Sequence, residues 1–200
     1  MNLFSSHEKE IRLDLPQADI VYYPSFFASE KGAEYYNRLL SETEWQQDDI
    51  TVYGKTFKQP RLTALYGLDE KAYSYSGLTM APNIFSPLLI ELKNEIEKVS
   101  EIKFTAVLIN LYRNGNDSMG WHSDDEKELG KNPVIASLTL GAERFFHLKH
   151  KENKELSYKL LLEHGSLLIM KGETQHFWQH QIPKSKAIQS PRINLTFRQI

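Results

Sequence analysis

Arg192-Ile193-Asn194-Leu195-Thr196-Phe197-Arg198 alternates polar and apolar side chains without a break. A β-strand repeats every two residues, so Ile193, Leu195 and Phe197 share one face while Arg192, Asn194, Thr196 and Arg198 share the other. An edge strand with its charged face in solvent gives this pattern, and so does a strand whose polar face lines a site. Either way the segment needs neighbours. From Phe104 onward, runs rich in β-branched and aromatic residues recur at 104–112, 134–140, 143–149, 158–162, 166–170 and 192–199, set apart by Gly115, Gly130, Gly141-Ala142, Gly165 and Gly172. Many short strands punctuated by glycine turns predict an α+β chain, mainly β, built on a double-stranded β-helix (jelly-roll) core.

The first hundred residues mix strands with two helices. Ser29 to Glu42 reads as a helix with Ser29 as N-cap and with Tyr35, Leu39 and Leu40 on one side. Ser86-Pro87 opens the second, a cap followed by proline at the first helical position, and Leu88, Leu92, Ile96 and Val99 mark its apolar face. Both are expected to buttress a sheet. No internal repeat, low-complexity tract or proline-rich linker interrupts the chain. It is therefore read as one domain, 1–200, with about 1–100 as an N-terminal extension carrying a substrate lid and about 101–200 as the jelly-roll core.

Composition narrows the function classes. Two hundred residues with 40% hydrophobic and 12% aromatic content suffice for one sizeable core. Without cysteine, disulfides, Cys-ligated zinc and iron–sulfur clusters are excluded, and a reducing cytoplasm is expected (bacterial cytosol, or nucleus in a eukaryote). Met1-Asn2-Leu3-Phe4-Ser5-Ser6-His7-Glu8-Lys9 has no targeting pattern, and no apolar run approaches a spanning helix, so no membrane partner is expected. A net charge of −2 gives no global attraction to nucleic acid; any such binding must come from a local patch.

Chemistry concentrates in the last third. In an extended His122-Ser123-Asp124 the histidine and the aspartate point the same way, and His180 follows downstream. Two histidines and one carboxylate make the facial triad that holds non-haem Fe(II) while leaving positions open for a co-substrate and O2. The same tripeptide also fits an ordinary polar loop. Arg192 and Arg198 add what a metal lacks, since a guanidinium fork matches the carboxylates of 2-oxoglutarate. His176 competes with His180 for the third position, whereas His147, His150 and His164 read as structural or surface residues.

Ordered blocks then carry a resemblance. Val107-Leu108-Ile109-Asn110-Leu111-Tyr112-Arg113-Asn114-Gly115, Trp121-His122-Ser123-Asp124-Asp125-Glu126, Pro133-Val134-Ile135-Ala136-Ser137-Leu138, His164-Gly165-Ser166-Leu167-Leu168-Ile169-Met170, His180-Gln181-Ile182-Pro183 and Pro191 to Arg198 together resemble the AlkB family of Fe(II)/2-oxoglutarate dioxygenases. Within that family they are most similar to the DNA alkylation-repair (AlkB homologue 2/3-like) branch. The resemblance implies that His122, Asp124 and His180 ligate iron and that Asn110, Tyr112, Arg192, Asn194, Thr196 and Arg198 form the 2-oxoglutarate pocket. The two arginines would serve opposite carboxylates of the co-substrate.

Upstream, Gln59-Pro60-Arg61, Tyr66-Gly67 and Tyr73-Ser74-Tyr75-Ser76-Gly77 resemble the family's nucleotide-recognition lid. By that resemblance Arg61, Tyr73, Tyr75 and Ser76 would contact substrate, with the His122 ring as the opposite wall and Tyr53 as a wedge entering the gap left by an extruded base. Asp125 and Glu126 would face a cationic methylated base. Lys55, Lys58 and Arg61 on one side, with Lys149, Lys151, Lys184 and Lys186 on the other, would form a phosphate-binding rim. Taken without the resemblance, each cluster also fits a solvated face and each tyrosine a half-buried strand position.

The implied reaction is oxidative dealkylation of N1-methyladenine or N3-methylcytosine type bases in DNA, with Fe(II), 2-oxoglutarate and O2, releasing formaldehyde and succinate; the chain is expected to act as a monomer. RNA or single-stranded DNA remain alternative polymers. A protein or small-molecule substrate, or a binding module without turnover, are alternative functions.

Overall fold

The computed structural model describes residues 10–52, 54–68, 73–75 and 78–200, with backbone alone at 50–52, 73–75 and 78–80. Strands β1 (Ile11–Arg12) and β2 (Asp19–Tyr23) lead to helix α1 (Ser29–Glu42). Six short strands follow: β3 (Asp49–Val52), β4 (Lys55–Lys58), β5 (Leu62–Gly67), β6 (Tyr73–Tyr75), β7 (Leu78–Met80) and β8 (Asn83–Ile84). After α2 (Pro87–Ser100) come β9 (Ala106–Tyr112), β10 (Met119–His122), β11 (Ile135–Gly141), β12 (Arg144–His150), β13 (Ser157–Leu162) and β14 (Leu167–Lys171). A short α3 (Thr174–Phe177), β15 (Trp178–Ile182) and β16 (Arg192–Arg198) complete the chain.

Eight strands form a large sheet in the order β1-β2-β14-β11-β16-β9-β5-β8, and four form a second in the order β10-β15-β12-β13. The large sheet draws β1, β2, β5 and β8 from the first hundred residues and its four central strands from the last hundred. All its pairings are antiparallel except the short β5–β8 contact. The two sheets face one another as a jelly roll. Two hairpins, β3–β4 and β6–β7, stand apart from both.

Alternation within each central strand divides the interior into two layers. Val107, Ile109 and Leu111 of β9, Ala136, Leu138 and Leu140 of β11 and Ile193, Leu195 and Phe197 of β16 pack against Tyr35 and Leu39 of α1 and Leu88, Leu92 and Ile96 of α2. On the opposite side Leu108, Ile135, Leu168 and Met170 meet Phe146, Leu148, Leu162, Trp178 and Ile182 across the space between the sheets. Each fully buried aliphatic or aromatic side chain contributes about 1.5–3 kcal/mol, so both layers are strongly held.

Helix α2 begins as its sequence predicts, with Ser86 Oγ accepting from the Leu89 amide at 3.3 Å and proline in the first turn. Helix α1 differs. Ala28 occupies the N-cap and makes no side-chain cap bond, so Ser29 is the first helical residue, and Leu40 is 38% exposed rather than part of the apolar face. The edge-strand reading of 192–198 is also overturned: β16 lies between β11 and β9, with every residue buried. Its polar face therefore points into the protein. At the end of β11, Gly141 has φ +89°, and a Cβ there would lie 2.6 Å from Pro191 O, so the turn into β12 needs glycine.

Candidate metal and co-substrate site

Antiparallel register aligns polar rungs on the inner face of the large sheet. Arg192 sits opposite Tyr112 on one side and Gly141 on the other, Asn194 opposite Asn110 and Thr139, and Thr196 opposite Leu108 and Ser137. Glycine offers Arg192 no cross-strand partner, so its Nη2 reaches diagonally to Thr139 Oγ1 at 2.8 Å. Asn194 Nδ2 likewise donates to Ser137 Oγ at 2.8 Å, and its Oδ1 accepts from Thr196 Oγ1 at 3.1 Å. Arg61 of the segment before β5 is 3% exposed and donates to Asn110 Oδ1 at 2.7 Å. It lies within this layer, so the surface rim expected to include it does not.

The second sheet supplies the metal-binding side. Residues His122 of β10 and His180 of β15 are directly cross-strand, which brings their rings to 4.2 Å between centroids. Beyond His122 the strand ends, and Asp124 lies in a bend rather than in an extended run. Even so, one ligand atom from each of His122, Asp124 and His180 falls within 4.8 Å of the others, a group that can hold a metal ion. His122 Nδ1 lies 2.9 Å from Gly120 O. A carbonyl only accepts, so that nitrogen carries the hydrogen and Nε2 keeps its lone pair for a metal. Phe146 stacks on His180 at 4.9 Å.

Electrostatics suit the same use. Burial lowers the pKa of both imidazoles; at His180 the neighbouring His122 adds to the effect and Asp124 opposes it, leaving a value of about 3. They are held neutral, the ligating form. Burial alone would raise Asp124, but Arg198, His180 and His122 outweigh it and keep the carboxyl ionised well below its usual range. Arg198 Nη2 donates to Asp124 Oδ1 at 2.6 Å. A dicarboxylate has a matching place at the other end. Arg192 is 1% exposed, burial pushes its pKa down to about 10, and its Nε and Nη1 are buried without a hydrogen-bond partner. Among the described residues no carboxylate pairs with it. Buried donors of this kind are costly unless a ligand supplies acceptors, so the residues present fit both an N,N,O-bound metal and a carboxylate.

One cavity of about 450 Å³, counted with its open mouth, joins these parts. It is lined by His122, Asp124 and His180 and by Asn110, Tyr112, Arg192, Asn194, Thr196 and Arg198, the residues expected from sequence. Met119, Ser137, Phe146, Met170, Gln181 and Ile182 line it as well. Ser137, Met170, Gln181 and Ile182 fall within the blocks that carry the resemblance but are given no role by it, and Met119 and Phe146 lie outside those blocks, so only register reveals that all six face the pocket. His176 is outside the cluster, bonded to Asn132 Oδ1 at 2.8 Å on the surface. His164 Nδ1 accepts from the Gly141 amide at 2.8 Å and His150 Nε2 lies 2.9 Å from Gln17 Oε1, which makes both structural.

The substrate-side expectations separate. Tyr53 and Ser76 lie outside the described residues, as do the side chains of Tyr73 and Tyr75, whose backbones belong to β6. Asp125 is exposed and paired with Lys151 at 3.0 Å, whereas Glu126 has a buried, unpartnered Oε2 and a pKa raised by burial and by Asp124. Of the lysines, Lys58 pairs with Asp49 at 2.8 Å, Lys149 sits 4.3 Å over the Trp121 ring, and Lys55, Lys184 and Lys186 are exposed.

Comparison with known proteins places this geometry. The solved structure of OsALKBH1 matches with a TM-score of 0.69 at 17% identity, covering 96% of this chain and 100% of that one, which shows a shared fold. Alpha-ketoglutarate-dependent dioxygenase alkB homolog 3 of Homo sapiens is 44% identical over 190 residues, 90% of this chain and 66% of that protein. The Bos taurus counterpart is also 44% identical, and the chain spans 64% of its length, slightly under two thirds. DNA oxidative demethylase ALKBH2 of Homo sapiens is 38% identical over 188 residues, 89% of this chain and 72% of that one. The pattern of the 2OG-Fe(II) oxygenase superfamily, whose members use iron, 2-oxoglutarate and O2, matches residues 19–198 and takes in every strand from β2 to β16 and the whole pocket, and the chain belongs to that superfamily.

Proposed function

We propose that the protein is an Fe(II)/2-oxoglutarate-dependent dioxygenase that removes N-linked methyl groups from nucleobases in DNA, of the N1-methyladenine and N3-methylcytosine type. The observation that carries the reading is the meeting, in one cavity, of a neutral His122–His180 pair, an ionised Asp124 and the unpartnered donors of Arg192. The names of the relatives, dioxygenase and DNA oxidative demethylase, supply the substrate class.

His122, Asp124 and His180 would hold the iron, which when bound with 2-oxoglutarate and O2 supplies the oxidation that hydroxylates the methyl carbon, yielding succinate, CO2 and, after the hydroxymethyl group leaves, formaldehyde. The chain's own groups do the rest. Arg192, fixed by Thr139 and flanked by Tyr112, receives a carboxylate of the co-substrate. Asn194 and Thr196, locked to each other and to Ser137, shape the floor so that the co-substrate has one seat. Arg198 holds Asp124 ionised and oriented. Phe146, Met119 and Ile182 line the pocket with apolar surface that limits water.

Substrate contacts by Tyr53, Arg61, Tyr73, Tyr75, Ser76, Asp125 and Glu126 belong to the same proposal, with about 1–100 carrying the lid and 101–200 the catalytic core. So do action as a monomer, a cytoplasmic setting and use of RNA or single strands beside duplex DNA. Besides its proposed substrate contact, Arg61 enters this scheme through Asn110, to which it donates at 2.7 Å. Its charge-assisted bond would orient that amide toward the co-substrate.

The test is mass spectrometry of an oligonucleotide bearing one N1-methyladenine or N3-methylcytosine, incubated in air with the protein, Fe(II), ascorbate and 2-oxoglutarate, while succinate is followed in parallel. Loss of one methylene mass, dependent on both iron and 2-oxoglutarate, is expected. Succinate without demethylation would overturn the substrate class and keep the oxygenase. Neither product, from protein that binds iron, would overturn the enzyme reading.

A further inference from the structure

Asp124 has a supporting problem that its two partners in the triad do not share. His122 and His180 sit in paired strands, each held by a ladder. Strand β10 ends at His122, and residues 123–126 have no strand neighbour. The carboxylate of Asp124, 2% exposed, must nevertheless converge on both imidazoles.

The structure supplies a substitute for the missing ladder. Gln175 of α3, 1% exposed, accepts the Asp124 backbone N–H on Oε1 at 2.9 Å, while its Nε2 lies 3.6 Å from Met170 Sδ. Its backbone carbonyl accepts from Lys151 Nζ at 2.8 Å, and the same ammonium bridges to Asp125 Oδ2 at 3.0 Å. Ser123 Oγ donates to Trp178 O at 2.9 Å. Three successive residues of the ligand loop are thus tied to one short segment. That segment is itself anchored, because Thr174 Oγ1 donates to Lys171 O at 2.6 Å and accepts the Asp19 amide at 2.9 Å.

From this we infer that Gln175 is a positioning residue: its side-chain oxygen fixes the Asp124 backbone and so sets how tightly the triad takes up a divalent metal. The inference rests on the reading of His122, Asp124 and His180 as metal ligands. Residues that orient a ligand without touching the metal alter metal affinity by about 10- to 100-fold. An amide is suited to the place because it adds no charge beside Asp124 and Arg198, and because a buried N–H needs an acceptor.

The experiment titrates Mn(II) alone into the full chain and follows free metal by electron paramagnetic resonance. Gln175→Met keeps the shape and removes the acceptor, and it should bind Mn(II) about 10- to 100-fold more weakly than the parent. Gln175→Glu keeps the acceptor oxygen and should bind more tightly than Gln175→Met, but short of the parent because its charge falls beside Asp124. Unchanged affinity in Gln175→Met, or equal loss in both variants, would overturn the role. A second measurement needs no variant. In the metal-free parent the Asp124 amide should exchange with deuterium far more slowly than the exposed amides of the same loop, and exchange at the exposed rate would overturn the proposed bond. Failure of the parent itself to bind Mn(II) would count against the triad, whereas a parent that binds and a Gln175→Met that binds equally would count against Gln175 alone.

Discussion

The two ends of the inner face of β16 carry the same side chain in opposite circumstances. At one end Arg198 meets the Asp124 carboxylate at 2.6 Å, an ion pair with both partners almost fully buried. At the other, Arg192 is equally buried but has a threonine hydroxyl for its partner and two donors without acceptors. Strand register accounts for the split. Arg198 ends the strand on the side where the second sheet brings Asp124 close, while the rung of Arg192 is completed by Tyr112 and Gly141, neither of which supplies a carboxylate. Identical chemistry on one face is thus divided between one cation neutralised by the fold and one with no carboxylate partner among the described residues. In the proposed reading the two arginines still serve opposite carboxylates of the co-substrate, Arg198 while it also holds Asp124.

This division can be broken by experiment. Asp124→Ala should bring the largest change, removing metal uptake and reducing turnover to background; retained Mn(II) binding would refute the assignment of Asp124. Arg198→Met comes next. It strands a buried carboxylate and should destabilise the metal-free protein by about 3–5 kcal/mol in urea denaturation. Arg192→Met should act in the other sense: little or no loss of stability, because a buried unpaired cation is removed, but co-substrate affinity weaker by about tenfold or more, the loss expected for one charge-assisted hydrogen bond of about 1.5–3 kcal/mol. Calorimetric titration of 2-oxoglutarate would read it. Equal destabilisation by both arginine variants would mean that the charge of Arg192 is already neutralised in the empty protein.

A third charged cluster sharpens the contrast by lying away from the pocket. Burial would raise the Glu97 carboxyl, but hydrogen bonds from Lys103, Lys93 and the Phe104 amide outweigh it and hold the pKa below 4.5. A carboxylate whose pKa is depressed on folding contributes stability that is present above its unfolded value and lost as pH falls through the folded one. Glu97→Gln should therefore lower stability at neutral pH and flatten its decline below about pH 4.5, the smallest effect of the set. An unchanged acid limb in the variant would sink this assignment.

Much of the scaffold was legible because a strand buried on one apolar face writes its period into the sequence. The runs at 104–112, 134–140, 143–149, 158–162, 166–170 and 192–199 correspond to β9, β11, β12, β13, β14 and β16 within two residues. Strands β10 and β15 were harder. Met119-Gly120-Trp121-His122 and Trp178-Gln179-His180-Gln181-Ile182 spend polar positions on the site and on solvent, which blurs the alternation. Among the functional groups, His122, Asp124, His180 and the arginines could be read from residue type and from resemblance. Gln175 could not, since an isolated glutamine carries no signal until the fold sets it against the amide of Asp124, 51 residues away in sequence. Nor does any period reveal that Arg198 faces a carboxylate and Arg192 does not, because that depends on how the second sheet docks.

The central place of β16 has a consequence for biosynthesis. Translation delivers a chain from its N-terminus, and the last described strand is the one that joins β11 to β9. Until it emerges, a nascent chain holds two open sheet edges, each a template for pairing with another molecule. The pocket is absent at that stage, since Arg192, Asn194, Thr196 and Arg198 arrive together with the strand. Polypeptides cut short before residue 192 therefore lack the polar wall that β16 gives the pocket and expose those edges, which makes them targets for chaperones and proteases.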